Sequence, residues 1–365
     1  MKRVLAGAVL LLLVAGSVGA ATAKRRTAVE ARVVARPRPA AAAVPAPVAT
    51  SSAAAVPLST ATFSPTKPPV AAALAGCPVP PGTPQPAPPP PWHPSVLVPD
   101  SALPPVSAPS PWHPDLAPLA GKGMWIWEWP DTDGGNAAAV VAQAVRAGLH
   151  QLWVRVGDSK DGFYGAAELD ALVPAAHAAG LAVIAWGFPY LYDPVGDARW
   201  TAQILAWRDP AGQGVDGYSA DLEEPTEGVD MTARRAAVYL ELVRRLAGNL
   251  PVVATVYPPG RSAYPYSAMA PYVDAFAPMI YWECTDPGAD VAADVAQLAR
   301  LRPVDVIGQA FNLAGEGGRA VSPSGAEIDD FLSAAVRAGA IGASFWVWQS
   351  ATPQEWAALS SFSWP

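Results

Sequence analysis

Residues 216–224 read DGYSADLEE, and here the chain concentrates groups that can give and take protons. As a strand the segment alternates faces, so Ser219, Asp221 and Glu223 share one side while Tyr218, Ala220 and Leu222 share the other. The α-carbons of Asp221 and Glu223 would then lie about 6.6 Å apart, near enough for each charge to shift the other's pKa. Such a coupled pair is raw material for acid/base chemistry. Pro225 breaks the strand and Glu224 and Glu227 follow, which places the pair at a strand's carboxyl end, where parallel α/β folds carry their active sites. A solvated acidic loop is the plain alternative.

A pair of this kind needs a parallel sheet to hold it. From Gly121 onward, short apolar runs alternate with helical patterns. The strand runs are GMWIWEW from Gly123, QLWVRVG from Gln151, LAVIAWGF from Leu181, GYSADLE from Gly217, PVVATVY from Pro251, AFAPMIYW from Ala275, VDVIGQAF from Val304 and GASFWVWQ from Gly342. Helical stretches between them include residues 136–147, 166–179, 232–247, 291–301 and 325–338. Eight βα units in residues 121–365 match the size of one (β/α)8 TIM barrel, an α/β fold. The competing architecture is a doubly wound open sheet. Its Gly-rich phosphate loop is missing here, because the first strand runs into WEWPDTDGG with no GxGxxG or Walker pattern.

In a barrel, polar and aromatic residues should collect where the strands end. Glu128 and Trp129, Arg155 and Asp158, Trp186 and Tyr190, Tyr257, Tyr281 with Trp282 and Glu283, Gln309 and Asn312, and Trp346, Trp348 and Gln349 fall at such positions. Aromatic faces beside carboxylates suit sugars, whose apolar ring faces stack while their hydroxyls are held by polar groups. Glu128, Arg155, Trp186, Tyr257, Gln309, Trp346 and Trp348 are therefore the candidate substrate-binding residues. Histidine is unavailable at this rim: His93 and His113 precede the barrel, His150 falls on the opposite rim and His177 lies within a helix. Ser/His/Asp hydrolysis, Cys/His proteolysis and His-ligated zinc are all disfavoured, and no metal or cofactor is expected. Carboxylates remain, as in glycosidases.

The rest of the chain bounds where this chemistry happens. Residues 1–23 have a basic end, an apolar run and small residues at Ala21 and Ala23, the pattern of a secretory signal peptide; an uncleaved membrane anchor is the alternative. Residues 24–120 are Ala- and Pro-rich and are expected to be a disordered spacer, with the barrel spanning 121–365. A PWHP tetrapeptide at 91–94 and 111–114 reads as low-complexity duplication. With 15 Lys+Arg against 28 Asp+Glu, residues 121–365 carry a net charge of −13, which argues against a nucleic-acid partner and for a neutral or basic substrate. A secreted or cell-wall-associated monomer is expected. Cys77 and Cys284 could pair, stay as thiols or link chains, and the spacing decides nothing.

DGYSADLE resembles the DGxDxDxE motif on the fourth strand of family 18 glycoside hydrolases, the chitinase-like barrels, with Ser219 in place of one Asp. Met279, Ile280 and Tyr281 are similar to that family's MxY, and Trp346 and Trp348 stand where it has a sugar-stacking Trp. The third strand departs from the family, reading AWGFPY where the pattern is SxGG. The resemblance implies Glu223 as general acid, Asp221 orienting a substrate N-acetyl group and Tyr281 donating to that group's oxygen. The expected function is an exported glycoside hydrolase acting on a cell-wall or extracellular polysaccharide, the alternative being an inactive glycan-binding barrel. Two pairings stay open. Glu223 with Asp221 implies substrate assistance, whereas Glu223 with Glu283 across the mouth implies direct acid and base or nucleophile roles. Met279, Tyr281 and Glu283 would share a strand face, and Glu283 could instead be a structural partner of Arg155.

Overall fold

The eight apolar runs become eight parallel strands. The computed structural model describes residues 94, 97–109, 113–259, 264–314 and 318–365; the expected signal peptide, most of the expected spacer and Cys77 lie outside them. The strands are β1 (Gly121–Ile126), β2 (Gln151–Asp158), β3 (Gly162–Phe163), β4 (Ala182–Phe188), β5 (Gly217–Asp221), β6 (Val252–Val256), β7 (Ala275–Pro278), β8 (Asp305–Gln309) and β9 (Gly342–Trp346). β3 is a two-residue antiparallel addition to the end of β2. The others neighbour one another in the order β7-β6-β5-β4-β2-β1-β9-β8, and parallel bridges Phe276–Val304 and Met279–Ile307 join β7 to β8. The fold is the expected parallel barrel.

The helices are α1 (Ala137–Arg146), α2 (Ala166–Ala178), α3 (Pro194–Ala206), α4 (Ala233–Ala247), α5 (Tyr266–Met269), α6 (Pro287–Leu298), α7 (Gly325–Ala338) and α8 (Pro353–Ser361). α3, α5 and α8 add to those read from periodicity, and α3 and α8 start on local signals. Asp193 accepts from the Gly196 N–H ahead of Pro194, and Thr352 with Glu355 forms a capping box around Pro353.

Strand alternation sorts the side chains into two cores. Tyr218, Ala220 and Leu222 of the β5 segment join the layer between strands and helices, as do Met124, Val154 and Ala185. The barrel interior holds Trp125, Trp153, Trp186, Ile184, Val253, Ala277, Met279 and Ile307. Trp125 stacks on Trp153 at 4.7 Å and meets Trp186 at 5.5 Å. Each such indole removes ~200 Å² from water, worth up to ~5 kcal/mol.

The floor of this interior is polar. Gln151 Nε2 donates to Leu119 O (2.9 Å) and Asp305 Oδ2 (3.1 Å), the Ser344 hydroxyl donates to Asp305 Oδ1 (3.1 Å), and Trp125 Nε1 donates to Ser344 Oγ (3.0 Å). Asp305 is fully buried, and burial pushes its carboxyl up to about 8 against the lowering pull of these bonds. Its folded pKa exceeds its unfolded value, so its contribution to stability is fully present in acid and is lost as the pH rises from about 4 through about 8. Asp305→Asn, neutral at every pH, is expected to melt higher relative to wild type at pH 8 than at pH 5. Thermal melts at the two pH values check this, and an equal gap at both would sink it.

Contacts with the barrel reach back before the expected boundary at residue 120. Val98 N donates to Tyr192 O (3.1 Å), and Leu103 is buried. Arg235 of α4 donates to Val98 O (2.6 Å) and Leu191 O (2.9 Å) and pairs with Asp100 (2.9 Å) and Asp230 (3.1 Å). Tyr272 donates to Ser107 O (2.9 Å), and Leu119 is buried in the barrel interior. Residues 97–109 thus lie along the barrel. They escaped the sequence reading because extended and 3-10 segments show no periodicity, and their partners are arginines distant in sequence.

Candidate active site

Asp221 is the last residue of β5, its side chain on the barrel-interior face below the mouth. It is 7 % exposed, and its Oδ1 is buried with no hydrogen-bond partner. Two residues on, beyond the strand end, Glu223 likewise has a buried Oε2 without a partner. Ser219, below them on the same face, shares a 2.8 Å hydrogen bond with Thr255 of β6 and so contributes nothing to the mouth. Buried polar atoms are nearly always paired, and Asp221 Oδ1 and Glu223 Oε2 are among the exceptions, as is Arg155 Nε.

Electrostatics give this pair protons to work with. Burial pushes Asp221 up to about 7; Arg155 opposes this and Glu227 adds to it. Glu223 stands well above the ordinary carboxylate range, first through burial and then through the charges of Asp221 and Glu227, while the Tyr257 hydroxyl facing it as a donor pulls the other way. Burial and the neighbouring charges thus favour the protonated form of Glu223, and Asp221 is poised near neutral pH to exist in either form.

Two strands along the sheet from this pair stands Arg155 of β2. A register shift between Arg155 and Gly157 bends the strand there. The guanidinium pairs with Asp158 at 3.1 Å and Glu128 at 3.9 Å and lies 5.5 Å over the Trp186 ring. Its partners are thus these two carboxylates, in place of the Glu283 partnership considered from sequence.

The candidate site residues take different places. Asp221, Glu223, Tyr257, Arg155 and Glu128 meet at the mouth. Trp346 is half-buried among Trp186 (5.6 Å), Trp125 (6.0 Å) and Trp127 (6.2 Å), the last of which is 46 % exposed. Tyr281 packs on the interior core and meets Phe311 edge-on at 5.2 Å. Trp186 is a floor residue, 1 % exposed, with its Nε1 donating to Ile126 O (3.2 Å). Gln309 is a clasp: it is fully buried, donates to Phe311 O (2.8 Å) and accepts from Glu283 N (3.2 Å).

Two expectations are corrected. Trp348 lies outside the barrel, donating to Asp133 (3.1 Å) and packing edge-on against Trp356 of α8, because β9 ends at Trp346 and the chain turns. β7 ends at Pro278, four residues before its expected end. Ile280 and Trp282 still face the helices while Met279 and Tyr281 face inward, but Glu283 enters a turn at φ +48°. Its N–H is held by Gln309 and its C=O by Arg319 (3.2 Å), so it does not continue the strand face. Cys284 beside it is disulfide-bonded, which sets aside the alternative of two unlinked thiols.

Three residues of the mouth were missed. Trp127 follows Trp125 by two and was legible from period-two alternation. Glu227, in the 3-10 turn Pro225–Glu227, acts on both carboxyls, and no periodicity signals it. Tyr264 donates to Leu222 O (2.5 Å) and lies 5.9 Å from Tyr257, bracing the segment that carries Glu223.

The fold is a (β/α)8 barrel, and Asp221 stands at the carboxyl end of the strand that carries the motif. Neither a protein-family model nor a curated protein sequence matches the chain. Among solved structures it is similar to the spore cortex-lytic enzyme SleL of Bacillus cereus, with 14 % identity, 67 % of this chain and 74 % of that chain covered, and a TM-score of 0.50. It is also similar to a chitinase from Rhizomucor miehei, with 13 % identity, coverages of 66 % and 98 %, and a TM-score of 0.49. At such identity the likeness is one of fold.

Proposed function

We propose that the protein is an exported glycoside hydrolase acting on a cell-wall or extracellular polysaccharide, with Glu223 as general acid and Asp221 as its carboxylate partner. The observation that carries this reading is the pair of buried, partnerless carboxyl oxygens, Asp221 Oδ1 and Glu223 Oε2, at the carboxyl end of one barrel strand. A glycosidic oxygen needs a proton as its bond to the anomeric carbon breaks, and burial with the neighbouring charges favours the protonated form of Glu223. Asp221, near half-ionised at neutral pH, offsets positive charge developing on the sugar or holds the group that does so. Arg155 biases the sharing by favouring ionised Asp221. Trp127 and Trp346 offer ring faces to the sugars, and Tyr281 supplies a hydroxyl on the interior side.

The reading of Glu283 as the second carboxylate loses support from its turn geometry, and the Asp221 pairing is kept. The glycan-binding alternative rests on Ser219, whose bond to Thr255 leaves no third carboxyl on the β5 face. Reducing-end assays of the full chain on chitin oligomers, peptidoglycan and α- and β-glucans test the proposal. Turnover of at least one substrate is expected, and binding with no turnover of any would assign the barrel to glycan binding.

A further inference from the structure

Past the end of β5, the backbone that carries Glu223 is held by a side chain from another loop. β5 ends at Asp221, and Leu222 then donates its N–H to Thr255 O of β6 (3.0 Å) and receives the Tyr264 hydroxyl at its carbonyl (2.5 Å). Leu222 is fully buried and Tyr264 is 9 % exposed, so water is a poor substitute for this bond. Tyr264 belongs to a tight corner ahead of α5. The Tyr266 N–H donates to Tyr264 O (3.0 Å) across Pro265, whose φ of −83° and ψ of 51° are close to those of an inverse γ-turn, and Pro265 O accepts from the N–H groups of Ala268 (2.9 Å) and Met269 (3.2 Å). The corner stacks its two rings at 5.7 Å and 30°. Tyr264 meets Tyr257 at 5.9 Å, Tyr266 packs edge-on against Phe276 of β7 at 5.9 Å, and the Tyr266 hydroxyl donates to Tyr257 O (2.7 Å).

One corner thus grips two segments of the mouth, at the residue before Glu223 and at Tyr257, whose hydroxyl faces Glu223. Packing alone would need only the rings, since Phe presents nearly the same apolar surface as Tyr. Both hydroxyls instead bond main-chain carbonyls one residue beyond a strand end, β5 for Tyr264 and β6 for Tyr266, where the regular ladder has stopped. We propose that Tyr264 and Tyr266 are positioning residues for the general acid, fixing Glu223 and Tyr257 relative to each other at the mouth. This rests on the carbohydrate-acting reading above and adds to it the residues that hold Glu223 in reach of the scissile oxygen. A misplacement of about 1 Å at a reacting group can cost about 10²-fold in rate, so two hydroxyls that bond backbone carry a kinetic effect larger than their share of the packing.

The test uses the full-length chain with Tyr264→Phe and Tyr266→Phe. Tyr272→Phe serves as a matched loss of one hydroxyl bond, since it gives up the bond to Ser107 O (2.9 Å) ahead of the amino end of β7. Crystal structures of the wild type and the first two variants are expected to show the Glu223 carboxyl displaced by about 1 Å in each variant. On a glycan that the wild type cleaves, kcat should fall at least about tenfold in both with KM within about twofold, and Tyr272→Phe should keep the wild-type kcat. The loss should vanish when either substitution is added to Glu223→Gln, because a residue acting through Glu223 has nothing left to position. An unmoved Glu223 in both variants, an unchanged kcat, an equal fall in Tyr272→Phe, or a loss that persists in full on Glu223→Gln would each overturn the proposal. A displaced Glu223 in a protein whose wild type cleaves no glycan would uphold the positioning and defeat the hydrolase reading. Turnover that neither substitution lowers would do the reverse.

Discussion

Glu223→Gln is expected to lower turnover by about 10²- to 10⁴-fold, the usual contribution of a positioned general acid, while the protein folds and binds glycan as before. The variant is close to isosteric, and it replaces a carboxyl that already carries its proton, because burial and the charges of Asp221 and Glu227 hold Glu223 well above its ordinary range. Asp221→Asn should cost far more than Glu283→Gln, since the latter lies in a turn away from the strand face. The pH profile of kcat/KM carries the electrostatics. The working form needs Asp221 ionised and Glu223 protonated, so the profile should be a bell whose acid limb lies near 7 and whose alkaline limb lies higher, both belonging to the pair. Tyr257→Phe removes a donor that lowers Glu223 and should move the alkaline limb up. Glu227→Gln removes a charge that raises both carboxyls and should move both limbs down. Unchanged turnover in Glu223→Gln would remove this residue from the mechanism.

The second large effect is on stability. Arg235→Met keeps an apolar stem but deletes the guanidinium that ties residues 97–100, the loop at Leu191 and Asp230 to α4. A cost of about 2–4 kcal/mol is expected, below the ~3–5 kcal/mol of a fully buried broken pair because both carboxylate partners stay partly in water. For a domain of this size that is roughly a 5–15 °C fall in melting temperature. The same reasoning predicts that limited proteolysis leaves a core starting at or before residue 97, since the backbone of 97–109 is hydrogen-bonded to the barrel. An unchanged melting temperature in Arg235→Met, together with a protected core starting near 120, would refute the strap.

Much of this molecule is local information. Whether Tyr218, Ala220 and Leu222 face away from Asp221 depends only on the pleat, and so does the inward face of Trp125, Trp153 and Trp186. Helices with a Pro or a Ser/Thr/Asp cap at their start are likewise written in a few consecutive residues, which is why α6 begins at Asp286-Pro287 and α7 at Ser324 with Glu327. Such features need no partner from elsewhere in the chain.

Past the strand ends that logic stopped. Extending the period-two pattern through Trp348 and Glu283 assumed straight strands, and both chains turn: one into a 3-10 turn that swings Trp348 onto Trp356, the other into a positive φ held by Gln309 and Arg319. Gln309 read as a sugar contact from its place at a strand end, yet its amide is consumed by the backbone around it.

By itself the sequence determined the barrel, the strand that carries the acid pair and the face it occupies, because these follow from periodicity and from residue types two positions apart. Only the tertiary structure decided which groups act on that pair. Arg155, Glu227 and Tyr257 come from three different segments, and their effect depends on through-space distance and on burial, which closure of the sheet creates. The same holds for the strap at 97–109: its anchor is a buried arginine 137 residues further along from the carbonyl it holds, and no local pattern encodes a contact of that range.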